Sequence, residues 1–204
     1  MSDRIEYPGD ATIAAISSWL GGSEYDVHLA RVLDQFGWFG TFFVRPNDIG
    51  KPGMLTQSQL RDILGVGHKV GLLLEGGGDP AAEASALGTL AGVAPWAFAR
   101  ESASTAAPSG LNFGITLREA SIRIGPDTDW RDFPVTARSL HAHDELRDRW
   151  ELVEEGGNGV FHLWGRSSEL TDDEDIWADL ECNLAWFCGH PHVWYTTLEG
   201  LRGG

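Results

Sequence analysis

Short apolar runs alternate with capped, amphipathic segments along nearly the whole chain, and this rhythm constrains the fold more than any single motif. Thr12 to Trp19 (TIAAISSW) reads as a strand, and from Asp26 the residues Val27, Ala30, Leu33 and Phe36 recur at helical spacing until Gly37. GTFFV at 40 to 44 is a second strand. Thr56 and Gln59 then form a capping box for a helix carrying Leu60, Ile63 and Leu64, ended by Gly65. His68 to Leu74 reads as a third strand, after which Asp79 and Pro80 supply an N-cap and an N1 proline for an alanine-rich helix reaching about Ala91.

The second half is less regular. The pattern predicts a strand over Val93 to Phe98, a loop over Arg100 to Gly110, a short helix capped by Thr116 and Glu119, and a strand at Ile122 to Ile124. A helix over Asp144 to Leu152 and a strand over Gly159 to Trp164 follow. A last helix from Asp172 places Ile176, Leu180, Leu184 and Phe187 on one face, before a strand at His192 to Tyr195. With no repeat or linker, the expectation is one α/β domain over residues 1–204, its parallel sheet closed or nearly closed into a barrel. Its site would lie at the C-terminal strand ends.

Composition narrows the function. Thirty acids face thirteen arginines and two lysines, Lys51 and Lys69, for a formal charge of −15. Such a surface repels nucleic acid and anionic membranes. Cys182 and Cys188, six apart in a helical segment, cannot pair well and read as reduced core thiols. The N-terminus lacks a basic region followed by an apolar stretch, and no run of eighteen apolar residues occurs. The expectation is a cytoplasmic chain that takes a small-molecule ligand in the barrel mouth; its oligomeric state is not encoded legibly.

GTFFV at 40 to 44, MLTQSQLRDILGVGHKVG at 54 to 71, LREASIR at 117 to 123, FHLWGRSSEL at 161 to 170 and VWYTT at 193 to 197 together resemble the polysaccharide deacetylase family. The resemblance implies a distorted (β/α)7 TIM-like barrel, and the removal of acetyl groups from amino sugars with a divalent metal. It also places the family's functional positions on residues that cannot serve them. The catalytic base falls on Leu20, the metal-binding acid on Gly21, the two metal histidines on Leu73 and Gly77, and the late-strand acid on Arg166. The proline motif of the middle strand would lie near Ala99, Arg100 and Glu101, where no proline stands. A divalent ion brings the pKa of bound water from about 15.7 toward 7, and without its ligands that nucleophile is lost. No cofactor is therefore expected, and residual amide hydrolysis on an N-acetyl sugar is the least expected activity.

The mouth so implied is apolar at Leu20 and Leu73, and rimmed by Trp19, Glu75, Arg100, Glu101, Trp164 and Arg166. Glu75, among leucines and glycines, is the candidate base. Arg166 is a fixed cation for a carboxylate, a phosphate or an oxyanion, or else a partner for Glu75 or Glu169. Gly76 to Gly78 read as a flexible turn rather than a phosphate cradle, because Asp79 occupies the helix cap. His141 and His143 alternate, so on a strand both would face one side; the resemblance places a histidine near here on the substrate rim. His162 reads as a hydrogen-bonded interior residue and His68 as structural. Two functions follow: a metal-independent enzyme repurposed for a small polar or carbonyl-bearing molecule, for example in a specialised biosynthetic pathway, with Glu75 and Arg166 as its charged pair; or a pseudoenzyme that binds carbohydrate, ligand or protein without catalysis.

Overall fold

The structure is a computed structural model and describes residues 7–74, 78–100, 108–111, 113–125, 127–157 and 159–202. Strand β1 (Ile13–Leu20) is followed by α1 (Asp26–Gln35), β2 (Gly40–Val44), α2 (Gln57–Gly65), β3 (Lys69–Leu74), α3 (Pro80–Ala91) and β4 (Ala97–Arg100). Then come β5 (Phe113–Glu119), β6 (Ile122–Arg123), β7 (Phe133–Val135), β8 (Ala137–Arg138), α4 (His143–Gly156), β9 (Gly159–Arg166), α5 (Glu174–Phe187), β10 (Val193–Tyr195) and α6 (Leu198–Leu201). Neighbouring strands β9-β1-β2-β3-β4-β5-β7 are parallel. The barrel closes because one stretch of chain changes partner: β7 pairs with β5, the Thr136 N–H then donates to the His162 carbonyl at 2.8 Å, and β8 pairs with β9.

Local chemistry sets the helix starts. Thr56 and Gln59 make the reciprocal capping box at α2, and the Asp79 carboxylate accepts from the Ala81 N–H at 3.0 Å ahead of Pro80 at the start of α3. Strand alternation divides the apolar residues into two cores. Ala14, Ile16, Leu20, Phe43, Leu73, Ala99, Phe113, Ile115, Phe133 and Trp164 fill the barrel. Leu29, Leu33, Trp38, Phe42, Leu60, Leu72, Phe98, Trp150, Leu184 and Phe187 pack between sheet and helices. Glycine is required where the packing is tightest: a Cβ on Gly165 would lie 2.5 Å from Cζ3 of Trp19. Only a hydrogen lets that indole lie across β9.

Three expectations are corrected. The fourth strand spans Ala97–Arg100 rather than 93–98, since Val93 is 51% exposed and Pro95 has no N–H for a ladder. Thr116 and Glu119 do not cap a helix; they belong to β5, whose pairing with β4 and β7 overrides the Thr-x-x-Glu pattern. Cys182 is exposed, not a core thiol, whereas half-buried Cys188 donates its S–H to the Phe36 carbonyl at 2.8 Å.

Candidate functional site

The C-terminal ends of β1, β3, β8 and β9 converge on the barrel mouth. Leu20 and Leu73, each 1% exposed, and Trp164, 8% exposed, point inward and plug it. Arg138 lies over the Trp164 ring, 5.7 Å from its centroid, and its guanidinium is paired with the Glu169 carboxylate. Arg166 ends β9 beside Leu20, and alternation with His162 and Trp164 gives it the inward face. Glu169 is thus engaged by Arg138.

Two expected rim residues face elsewhere. Trp19, fully buried, belongs to the core between sheet and helices, where its Nε1–H donates to the Ser17 hydroxyl at 3.1 Å, so it does not line the mouth. Arg100 follows Ala99, which faces inward, and so turns outward, donating from Nη2 to Asp132 Oδ1 at 2.7 Å. Glu75, Gly77 and Glu101 lie outside the described residues. The Glu75–Arg166 pairing therefore carries no geometry.

One layer below the plug, the Ser18 hydroxyl lies 2.8 Å from His162 Nε2, and His162 Nδ1 lies 2.9 Å from the Pro134 carbonyl. The carbonyl requires Nδ1–H, so Nε2 accepts from Ser18. Both side chains are 0% exposed, and burial pushes the His162 pKa down to about 4. The pair resembles a nucleophile and base in connectivity, but Leu20 and Trp164 close it off from the mouth, and it ties β1, β7 and β9 together. His68 is likewise structural: the Gly40 N–H donates to its Nδ1 at 3.0 Å and its Nε2–H to the Ala30 carbonyl at 2.8 Å. Beside the mouth, Asp26 is 1% exposed, and burial raises its pKa to about 8, tempered by the Ser167 hydroxyl and the Gly22 backbone. Neither carboxylate oxygen has a partner at hydrogen-bonding geometry among the described residues, so this tempering is weak.

His141 and His143 are not on a strand. His141 lies in the turn after β8, between Glu145 at 3.3 Å and Glu119 at 3.6 Å, and His143 opens α4. They nevertheless come together, in a cavity of about 510 Å³ between this turn and α5, whose wall includes Ser139, Asp179, Cys182 and Asn183. His143 Nδ1–H donates to Asn183 Oδ1 at 2.6 Å, and the ring meets Trp186 edge-on. This fixes the ring and leaves Nε2 as its acceptor. Arg138, Asp26 and Asn183 were missed by the sequence reading, which named Glu169 only as a partner for Arg166. Asn183 had a signal: it breaks the apolar face of Leu180, Leu184 and Phe187 and is only 5% exposed.

Seven strand positions, parallel and closed, with helices outside and a mouth at the C-terminal strand ends, define a deformed (β/α)7 barrel. It is the barrel of the CE4 polysaccharide deacetylases. Among solved structures, the chain is similar to the Xyl-CE4 domain of a multidomain xylanase from the hindgut metagenome of Trinervitermes trinervoides (TM-score 0.57, 11% identity, covering 95% of this chain and 92% of that one). It is also similar to a family 4 acetyl xylan esterase from Clostridium thermocellum, solved with a cobalt ion (0.54, 15%, 92% and 89%). A third is a mutant of a CE4 family pseudoenzyme with restored enzymatic activity (0.54, 11%, 96% and 69%). No family model and no curated protein matches the sequence.

Among the described residues, the positions onto which the resemblance places the ligands do not fit the divalent ion that this fold family implies. Leu20, Gly21 and Leu73 offer no side-chain ligand atom, and Leu20, Leu73 and Trp164 belong to one packed apolar cluster. Among the described residues there is also no group of three or more His, Cys, Asp or Glu side chains arranged to hold a metal. No helix among them is long and apolar enough to cross a membrane.

Proposed function

We propose that this chain is a divergent polysaccharide deacetylase-like protein repurposed as a metal-independent enzyme acting on a small polar or carbonyl-bearing molecule. The observation that carries this reading is His143, held by Asn183 in the open cavity beside the plugged mouth. A histidine whose Nδ1–H is anchored to a carbonyl presents Nε2 as a proton acceptor, the arrangement that general-base catalysis uses. The cavity, at about 510 Å³, is within the usual range for small-ligand sites. His141, Ser139 and Asp179 add hydrogen-bonding groups to its wall, whereas Arg166 ends β9 at the mouth and is not part of that wall.

A second reading, a pseudoenzyme that binds a ligand or a partner without turning it over, draws support from the Arg138–Glu169 pairing at the mouth and from the pseudoenzyme among the structural relatives. The test is native mass spectrometry of chelator-treated protein purified from its own host, followed by incubation of the retained organic ligand with fresh protein. The enzyme reading expects a bound organic species, chemically changed by the wild-type chain and unchanged by His143→Ala. Retention without conversion favours the pseudoenzyme, and retention indifferent to His143→Ala removes that ring from the site.

A further inference from the structure

At the opposite end of the barrel, a second cavity of about 310 Å³ opens between the starts of β2, β3 and β4 and helix α6. Its walls are slightly more apolar than polar, with Val70, Trp96, Ala97 and Leu198 inside and half-exposed Val93 at the rim. Thr41 also lines it. This side chain is 2% exposed, and its Oγ1 has no hydrogen-bond partner among the described residues. Native proteins seldom leave a buried hydroxyl unpaired, because desolvation without a replacement bond is unfavourable.

The other polar groups of the wall are already engaged. His68 uses both ring nitrogens on backbone groups, which keeps it neutral, and burial lowers its pKa. Lys69 and Glu199 pair with each other at 2.7 Å. A charged ligand would have to displace that pair, whereas a neutral one leaves it intact.

We propose that this cavity binds a small neutral molecule with an apolar, ring-sized body and one hydroxyl or carbonyl group, which completes the hydrogen bonding of Thr41. The size is apt: a cavity of roughly 150 Å³ suffices for benzene, so this one takes a substituted ring. Trp96 provides an aromatic wall, itself braced by Phe113 with ring centroids 5.5 Å apart. The site uses none of the mouth residues and does not depend on any reaction there.

The probes are 4-ethylphenol and ethylbenzene, which differ by one hydroxyl, titrated into the intact chain by calorimetry and by observing the Trp96 indole N–H in NMR spectra. The expected result is that 4-ethylphenol shifts the Trp96 signal and binds at least about tenfold more tightly than ethylbenzene, the gap expected of one buried hydrogen bond. Thr41→Val, which keeps the side-chain shape, brings the two within about twofold of each other. Val93→Trp, at the exposed rim, excludes both probes and keeps the test decisive if Thr41→Val does not fold. The proposal is overturned if neither probe moves the Trp96 signal, if the preference survives Thr41→Val, or if the probes perturb Trp164 in place of Trp96.

Discussion

Replacing Asp26 with asparagine should stabilise the protein above neutral pH and flatten its dependence on pH. Asp26 opens α1, where the positive end of the helix favours a carboxylate, yet burial dominates and holds its pKa near 8 instead of the usual 3.8. The sign follows from linkage. Below pH 4 the carboxyl is protonated in both the folded and unfolded chains and contributes no difference. Between pH 4 and 8 the unfolded chain ionises and the folded chain does not, so stability falls as pH rises, and above pH 8 the loss saturates. The slope is about 1.4 kcal/mol per pH unit, or roughly 2 kcal/mol from pH 6.5 to 8. At pH 6.5 an unfolded histidine is half protonated while His162 and His68, both lowered by burial, are mostly neutral in the fold, so they add a smaller slope of opposite sign that is common to the parent and to Asp26→Asn and cancels between them. Urea unfolding at pH 6.5 and pH 8 measures it. Across the interval the parent should lose about 2 kcal/mol relative to Asp26→Asn. Equal slopes in the two proteins would show that Asp26 ionises freely, and with it that the loop from Gly21 to Tyr25 opens to water.

Further consequences can be checked in the same way. His162, held near pKa 4, should give the opposite slope: stability falls as pH drops from about 6.5 to 4, by about 3 kcal/mol, and His162→Leu should abolish this acid sensitivity while lowering stability at pH 7. Gly165→Val should drive side-chain atoms into Trp19 and Ser139 and destabilise by several kcal/mol, seen as loss of near-UV circular dichroism or of soluble protein. Glu169→Gln should leave the Arg138 charge uncompensated above Trp164 and shift tryptophan fluorescence, with a stability loss of about 1 kcal/mol because the pair is partly exposed.

The fold was legible because its signals are local. The Thr56–Gln59 box, the Asp79–Pro80 start and the buried run Gly40–Val44 each specify an element without reference to distant residues, and the structure places all three as read. A barrel was expected, but the segments that close it were not legible, since β7 and β8 are three and two residues long, flank Thr136 and include Pro134, too short for any periodicity. The site was legible only in part. Alternation along β1 and β9 orients Leu20, Trp164 and Arg166 inward, but the same alternation, applied to Trp19 and Arg100, turns them outward. His141 and His143 were noticed for a spacing that means something on a strand; the turn and helix start that hold them bring them to one cavity by a different route. Asn183 and Asp26 matter through burial, which only the assembled tertiary structure reveals.

The central claim is that the chain works without a metal, and the most direct measurement is thermal unfolding of the full chain with zinc or cobalt added, compared with the same protein after exhaustive chelation. The account predicts superimposable melting curves and no stoichiometric metal in the protein purified without chelator. A melting temperature raised by one equivalent of either ion and lost on chelation would contradict it, and would place ligands among side chains that Leu20, Gly21 and Leu73 do not supply.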